Sequence, residues 1–473
     1  MPRFDKLLNP AFCANNVNSP CPNNTSKANK ACSRCLLVVY CSEECQNEHW
    51  PTHEKDCKNI FTQESWKPHW HTADRVPTFR KESDPYEPNT NKGKISWWGS
   101  MPAVDLLKLD ANEGQDAPPK LSILFAASHD IRNMVETIAR LPDMYSGQCE
   151  MVMNGIHPEI FTQNIILVLV AFHFPPEEAA PIMIHLWYSA LIPSSVLAAL
   201  RAKILPLIHE VCVPADYEPY VPVYEMVCKK NKASLCIELP REEWHRLRKY
   251  LEVPPRLSAT TAAENRHEVT LALSRKDEIH RFLYTQPRYW RVSSVKFRAD
   301  GILLPFGCSR EEFDTPNPLT YATAESEILR IENVLSLFGH LLKPKILNPK
   351  AMLLVLLVRD IEAMWTGESI DTELTRVAKY IPQAKSTSRN DADYLKSLLA
   401  STFFRDVTKL FDLYKKAAKF DALARYGLKI REKSTVVPHW PMRPGKHPAQ
   451  QVFEILLASG ATGLERYIEW ERE

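Results

Sequence analysis

Residues 1–57 concentrate thiol and imidazole groups that could bind metal ions. Seven of the 12 cysteines lie in this segment. The candidate ligands are Cys13, Cys21, Cys32, Cys35, Cys41, Cys45, His53 and Cys57. Inside a cell, clustered cysteines indicate a metal site more often than disulfides. Eight ligands make two sets of four, and thiolate-rich sets with one imidazole favour Zn²⁺.

The spacing of these ligands predicts a zinc knuckle and two short helices. Cys32–Cys35 is a Cys-x-x-Cys segment, which allows two thiolates to meet one tetrahedral ion. Cys41–Cys45 and His53–Cys57 each place a ligand at positions i and i+4, on one face of a helix. Ser42 suits the N-cap of the first helix, and Pro51 suits the first turn of the second.

Two histidines could supply the imidazole ligand. His53 lies four residues before Cys57, so a helix places both side chains on one face. His49 does not share that face with Cys57. His53 is therefore the predicted ligand, and His49 is the alternative.

The segment Cys13–Cys57 resembles a MYND-type zinc finger. The resemblance rests on Cys-x2-Cys followed by Tyr40-Cys41-Ser42-x2-Cys45-Gln46-x2-His49-Trp50-x2-His53-x3-Cys57. It implies two zinc ions bound by interleaved ligands. The implied first set is Cys13, Cys21, Cys41 and Cys45, and the implied second set is Cys32, Cys35, His53 and Cys57. Seven residues separate the first two cysteines, where the family usually has two.

The resemblance also implies docking of proline-rich peptides by a groove that includes Ser33, Gln46 and Trp50. A tryptophan gives a proline ring a flat apolar surface, and a glutamine can bond to a peptide backbone. The alternative for Trp50 is packing in the small core of the finger. Residues 1–60 carry seven Lys/Arg and six Asp/Glu. Because a DNA-binding finger should be strongly basic, protein partners are favoured over nucleic acid.

Beyond the finger (1–60), the chain divides into three further segments. Residues 61–118 form a Pro/Trp-rich connecting arm whose aromatic rings should pack onto the next domain. Residues 119–310 read as a degenerate Rossmann-like α/β domain, because strands and helices alternate. The predicted elements are strand Lys120–Ala127, helix Ile131–Leu141, strand Cys149–Met153, and helices Ile160–Phe174 and Glu177–Leu191.

Four polar residues mark the place where such a sheet would bind a cofactor. Asp130, Arg132 and Asn133 follow the first strand, and Asn154 ends the second. Ligands of α/β sheets bind at the carboxyl ends of strands. The turn after the first strand lacks glycine, however, so its backbone cannot closely approach a dinucleotide or S-adenosylmethionine. Helix capping by Asp130, with an Asp130–Arg132 ion pair, is the alternative reading.

A second resemblance extends from about Trp66 to Gly307. It is to an uncharacterised domain (DUF4470-like) of fungal MYND-finger proteins, related to a domain of dynein-arm preassembly factors. The matching residues include Trp97-Trp98-Gly, Asn112-Glu-Gly, Leu124-Phe-Ala-Ala-Ser-x-Asp130-Ile-Arg-Asn, Asn164-Ile-Ile-Leu, Trp187-Tyr-Ser and, more weakly, Glu465–Trp470. The resemblance implies relatives involved in assembly, without an established activity.

Residues 319–473 are predicted to form an α-helical C-terminal region. Apolar residues recur there at helical spacing. The predicted helices are Ala324–Leu342, Met352–Trp365, Asp391–Arg405, Leu410–Tyr426 and Gln450–Trp470.

The composition and motifs of the sequence limit which classes of function are plausible. Only 13 residues are glycine, and no P-loop, Gly-x-Ser-x-Gly or His-Glu-x-x-His motif occurs. The net charge of +2 is too small to attract nucleic acid or an anionic membrane by long-range electrostatics. The apolar runs are shorter than a membrane span. We therefore predict a non-enzymatic adaptor in the cytoplasm or nucleus that binds proline-rich proteins. The alternatives are a divergent S-adenosylmethionine-dependent methyltransferase and an assembly or chaperone cofactor.

Overall fold

The computed structural model describes residues 13–16, 30–78, 103–126, 130–155, 158–217, 223–321, 352–357, 369–378, 391–401, 405, 407–417, 427–437 and 466–472. The helices are α1 (Glu43–Cys57), α2 (His69–Thr72), α3 (Arg132–Ala139), α4 (Pro158–His173), α5 (Pro176–Tyr188), α6 (Ser194–Lys203), α7 (Leu205–Tyr217), α8 (Arg241–Lys249), α9 (Ala259–Thr270), α10 (Lys276–Thr285), α11 (Arg288–Asp300), α12 (Ile370–Ala378), α13 (Ala392–Ser401) and α14 (Thr408–Ala417). The strands are β1 (Lys30–Ala31), β2 (Val39–Tyr40), β3 (Lys120–Ala126), β4 (Gln148–Asn154), β5 (Leu191–Ile192), β6 (Tyr224–Lys230), β7 (Ala233–Leu239), β8 (Thr315–Pro316), β9 (Met352–Leu357), β10 (Leu428–Ile430) and β11 (Arg466–Arg472).

The chain folds into two compact units, each built from two separate stretches of sequence. The first unit contains Met1–Thr90 and Pro158–Ala324, and the second contains Asn91–His157 and Glu325–Glu473. The segment 119–310 therefore contributes to both units. The boundaries 1–60, 61–118, 119–310 and 319–473 stay a prediction.

The first unit is mainly helical and holds the cysteine-rich segment. Helix α4 buries apolar side chains on most of its circumference, which is typical of a central core helix. Strands β6 and β7 form an antiparallel hairpin that buries one face, including Tyr224, Met226 and Ile237. Asn231, in the turn of this hairpin, has a φ of 55°, which asparagine tolerates better than most residues.

The second unit contains the predicted β-α-β arrangement. Strands β3 and β4 are parallel, from the pair Lys120↔Gln148 to the pair Ala126↔Asn154, and α3 connects them. The observed order of strands and helices, from β3 to α5, confirms the predicted order. Helices α4 and α5, however, belong to the first unit. The described residues thus show a mixture of helices and strands, and a complete Rossmann-like layer stays a prediction.

The C-terminal region contains a sheet that was not predicted. Strand β11 lies between β10 and β9, antiparallel to both. The predictions of helices at Met352–Trp365 and Gln450–Trp470 are therefore wrong for the parts described. A short run of apolar residues is compatible with a buried strand and with a buried helix, so hydrophobic periodicity could not distinguish the two. Helices α13 and α14 confirm two other predictions, and Ala324–Leu342 lies outside the described residues.

A buried carboxylate joins β11 to the loop after β10. Glu469 accepts backbone N–H bonds from Thr435, Val436 and Val437 at 2.8, 2.9 and 3.1 Å. The Thr435 hydroxyl also donates to the Asn112 side chain at 2.6 Å. The bonds to Glu469 are charge-assisted, and the Thr435–Asn112 bond ties the C-terminal sheet to the segment before β3, within the same unit.

Candidate metal centre

The first metal-binding turn lies between the short strands β1 and β2. The Leu36 N–H donates to the Cys32 carbonyl at 2.9 Å, and the Cys32 N–H donates to the Val38 carbonyl at 3.0 Å. Leu36 closes the turn in the left-handed region, with a φ of 55°. The Leu37 N–H lies 3.5 Å from the Cys35 Sγ, as expected for a turn that folds around its sulfur atoms.

Helix α1 supplies three of the ligands, Cys45, His53 and Cys57. Ser42 caps its first turn by accepting the Cys45 N–H at 3.3 Å. The structure shows one continuous helix, whereas the sequence predicted a second helix beginning near Pro51. Proline lacks the N–H that would bond to residue 47, but the packing of the helix on its cysteine-rich core outweighs this loss.

Four of the predicted ligands meet in a buried cluster. The ligand atoms of Cys32, Cys35, His53 and Cys57 all lie within 4.8 Å of one another. The Cys32 and Cys57 sulfurs are 3.8 Å apart, and the Cys35 Sγ is 3.3 Å from the His53 Nε2. Zn–S bonds of about 2.3 Å in a tetrahedron separate two sulfurs by about 3.8 Å. The cluster therefore has the dimensions of a zinc site.

A second cluster contains three further cysteines. The sulfurs of Cys13, Cys41 and Cys45 lie within 4.8 Å of one another, and those of Cys41 and Cys45 are 3.5 Å apart. A backbone bridge from Cys13 to Val39 holds the first cysteine beside β2. The fourth predicted ligand, Cys21, lies outside the described residues. Three thiols around one point leave a place for a fourth ligand.

The electrostatics of the clusters suit a cation. Burial raises the pKa of the Cys35 thiol to about 12 and also raises those of Cys13 and Cys57. Burial lowers the pKa of His53, which keeps its imidazole neutral and able to bind a metal. Buried thiols of this kind become thiolates when a divalent cation binds between them. The donor set therefore fits zinc.

His49 lies beside the cluster and bonds to a different group. Its Nδ1 is 3.0 Å from the Tyr40 hydroxyl, and its ring stacks on that of His53 at 6.0 Å between centroids. The structure thus places His53 with the thiols, and His49 on the Tyr40 side. The contact with Tyr40 was not predicted, although an aromatic residue directly before Cys41 is a signal that could have indicated it.

The three predicted peptide-binding residues lie at the surface of the finger. Ser33 is exposed in the metal-binding turn, whereas Gln46 and Trp50 are half-buried and one turn apart on α1. Trp50 makes an edge contact with the His53 ring, with centroids 6.0 Å apart. One part of the Trp50 side chain therefore packs on the core of the finger, and another part reaches solvent. This position is compatible with both interpretations of the residue, core packing and peptide contact.

The finger shares its core with the helical part of the first unit. Val292 of α11 and Phe306 pack against the residues around the cysteines. Gly307 comes so close that a Cβ atom built there would lie 3.0 Å from the Val38 side chain. A side chain at position 307 would require the Val38 side chain to shift.

The arm after α1 reinforces this attachment. Trp66 and Trp70 are buried and pack around His280 of α10, as predicted for the aromatic residues of the arm. Both Oδ atoms of Asp277 accept bonds from Arg75, at 2.6 and 2.7 Å, and the Thr78 N–H adds a third bond at 2.8 Å. The arm is therefore fixed by aromatic packing and by one bidentate ion pair.

The predicted cofactor-binding residues are engaged within the second unit. The Arg132 Nε–H is shared between the two carboxylate oxygens of Asp130, at 2.9 and 3.0 Å, and the Arg132 backbone N–H donates to Asp130 Oδ1. The Asn133 Oδ1 accepts the Val104 N–H at 3.0 Å. Asn154 is exposed at the carboxyl end of β4, and residues 127–129 lie outside the described residues. These contacts show the Asp130–Arg132 ion pair of the alternative reading, whereas the N-cap of α3 is Ile131, without a side-chain cap.

Residues 13–57, which hold both clusters, match the family described as MYND finger. The chain contains a MYND zinc finger. Residues 97–192 match a second family, described as a domain of unknown function (DUF4470). The second match includes β3, α3, β4, α4 and α5 and therefore draws on both compact units.

Three curated relatives are dynein axonemal assembly factor 3 of mouse, cattle and human. They are 28%, 25% and 26% identical to this chain over 179, 166 and 163 residues. These alignments cover 35%, 33% and 32% of this chain. They cover only 30% of each relative.

No solved structure matches the chain. In the part of the chain that the structure describes, every helix is too short or too polar to cross a bilayer.

Proposed function

We propose that this chain is a non-enzymatic adaptor whose finger binds two zinc ions and docks proline-containing peptides. The observation that carries the proposal is the position of Gln46 and Trp50 on α1, the helix that also presents His53 and Cys57 to the buried cluster. Metal binding would fix this helix and, with it, the surface that meets the peptide. The partners would be proteins with proline-rich segments.

Each zinc ion would have its own set of four ligands. The first set is Cys13, Cys21, Cys41 and Cys45, and the second set is Cys32, Cys35, His53 and Cys57. The second set is supported by four buried ligand atoms within one zinc-sized cluster, and the first by three of its four members.

The relatives favour a specific form of this activity. Their name describes assembly factors for axonemal dynein, and an assembly factor works by binding proteins. We infer that this chain is an intracellular assembly or chaperone cofactor that holds client or partner proteins through its finger. A methyltransferase has weaker support, because Asp130 and Arg132 bond to each other and Asn133 bonds to backbone, which leaves them poorly placed to hold a cofactor.

The decisive variant removes the half-buried Trp50 ring while leaving the metal ligands intact. In Trp50→Ala we expect a proline-rich peptide that binds the wild-type chain to lose at least about tenfold in affinity by calorimetry, because one aromatic anchor carries much of such a contact. Zinc content should stay at the wild-type value. Trp290→Ala is the control, since Trp290 is a solvent-accessible tryptophan on helix α11 of the same unit.

Gln46→Ala provides a second variant with a smaller effect on packing. Weaker peptide binding in both Trp50→Ala and Gln46→Ala, with normal zinc content, supports the proposal. Unchanged affinity in Trp50→Ala would refute peptide docking by the finger.

A further inference from the structure

The ring of His280, on α10, contacts three aromatic side chains of the arm. Its centroid lies 5.4 Å from that of Trp66, 6.2 Å from that of Trp70 and 6.4 Å from that of Phe61. The Trp66 and Trp70 side chains are buried, and the His280 ring is half-buried. The packing of the arm on α10 therefore includes a group that can change its charge near neutral pH.

A backbone bond from the arm determines which nitrogen of this ring carries the proton. The His69 N–H, at the first residue of α2, donates to the His280 Nδ1 at 3.2 Å. A ring nitrogen that accepts a bond has no proton, so the neutral His280 carries its proton on Nε2. A second proton would go to Nδ1, where it would point at the His69 N–H and abolish this bond. The docked arm therefore requires the neutral ring.

Both acids of α10 already have cationic partners. Asp277 lies three residues before His280, and its two carboxylate oxygens accept bonds from the Arg75 guanidinium at 2.6 and 2.7 Å. Glu278 pairs with Arg281 at 3.2 Å. Because the charge of Asp277 is compensated by Arg75, it offers a charged His280 little net attraction.

The other surroundings of the ring also disfavour a positive charge. Burial lowers the pKa of His280 below its ordinary value of 6.5, and the charges of Lys276, His69 and Arg75 lower it further, whereas that of Asp277 raises it. The arm and the facing helices also carry Glu64, Lys67, His71, Asp74, Tyr284 and Arg291. Lys67 donates to the Tyr284 hydroxyl at 3.0 Å, and the Arg291 guanidinium lies 5.2 Å from the centre of the Trp66 ring.

We propose that His280 makes the docking of residues 66–75 on α10 sensitive to pH: the neutral ring holds this segment, and protonation of Nδ1 releases it. In the released segment the ring has its ordinary pKa of about 6.5, whereas the docked ring resists the proton. A histidine whose pKa is lower in the docked state favours docking above about pH 6.5, and this preference is lost as the pH falls further. The contact lies outside the metal clusters, and the proposal does not depend on peptide binding by the finger.

Hydrogen–deuterium exchange of the full-length chain, as purified, tests the proposal. Peptides that cover residues 66–75 are followed by mass spectrometry from about pH 7.5 to about pH 5.5, and the rates are corrected for the intrinsic effect of pH on exchange. We expect the opening constant of this segment to rise roughly tenfold over these two pH units, because a ring that titrates near pH 6.5 only when released gains that factor. Native mass spectrometry of the same samples records their zinc content.

Two variants separate His280 from the other histidine in the contact. His280→Asn offers an amide oxygen to the His69 N–H but cannot titrate, so its corrected exchange should not change with pH. His69→Gln removes an exposed titratable ring and keeps the backbone N–H, so it is the matched control and should retain the full response. If His280→Asn does not fold, His280→Gln takes its place and should likewise lose the response.

Three results would overturn the proposal. The first is corrected exchange of residues 66–75 that stays constant in the wild-type chain as the pH is lowered. The second is slower exchange in acid, which a cation–π contact between the charged ring and Trp66 would produce. The third is a response that persists in the variants of His280, or that occurs only where zinc is also lost, because other groups would then cause it.

Discussion

At the scale of single residues, position on a helix decides which side chains meet the metal. His49 and His53 are both buried on α1, and their rings stack on each other. Only His53 lies with the sulfurs of Cys35 and Cys57, because it shares its helical face with Cys57. His49 bonds to the Tyr40 hydroxyl instead.

This difference leads to a paired prediction for the two histidines. His53→Gln removes a ligand from the second cluster, so we expect the purified chain to lose about one equivalent of zinc. His49→Gln removes the contact with Tyr40 and the stacking on His53 but no ligand, so it should retain the wild-type amount. Metal analysis of the two purified variants measures this directly. Equal zinc content in both variants, or loss in His49→Gln alone, would show that the ligand is assigned wrongly.

At the scale of elements, the arm makes the finger part of a larger domain. The bidentate bond from Arg75 holds the pKa of Asp277 at about 2, below its ordinary value of 3.8. A carboxylate that is more acidic in the folded state stabilises the fold above its unfolded pKa. This stabilisation is therefore complete above about pH 4 and is lost as the pH falls toward 2.

Asp277→Asn should lower the free energy of unfolding by about 2 kcal/mol at neutral pH, because a bond between charged groups is lost from a carboxylate that is only 2% exposed. The difference from the wild type should shrink as the pH falls from about 4 to 2. Urea unfolding across this range gives the measurement. Glu64→Gln, in the exposed pair with Arg288, is the control and should change stability little. A difference that grows in acid would contradict the role given to Asp277.

Much of the candidate site could be predicted from the sequence, because the spacing of its ligands is local. Local spacing predicts the pairs Cys32–Cys35, Cys41–Cys45 and His53–Cys57, whereas their grouping into two sets was implied by the resemblance to MYND-type fingers. Seven of the eight candidates lie in the two clusters. Strand β9 could not be predicted in the same way. Its continuous apolar run carries no periodicity that separates a strand from a helix, and its pairing with β11 joins residues more than 100 positions apart.

At the scale of the whole molecule, the division of the chain into two compact units was not predicted from the sequence either. The chain leaves the first unit after Thr90 and returns at Pro158, just after β4. No composition change marks this return, since α4 follows β4 as it would in a continuous α/β domain. The finger and the helices from α4 to α11 form one unit, in which Val292 of α11 packs against the core of the finger.

The alignment with the assembly factors covers about 30% of each relative and does not define the function of the whole chain. What distinguishes the chain is the finger and its two clusters of ligands. The central claim is that two bound zinc ions shape a peptide-binding surface.

Native mass spectrometry of the purified full-length chain tests this claim most directly. The proposed ligand sets predict a mass increase that corresponds to two zinc ions per chain, both of which a strong chelator removes. A chain that carries one zinc ion or none, when it is purified without chelator, would contradict the account.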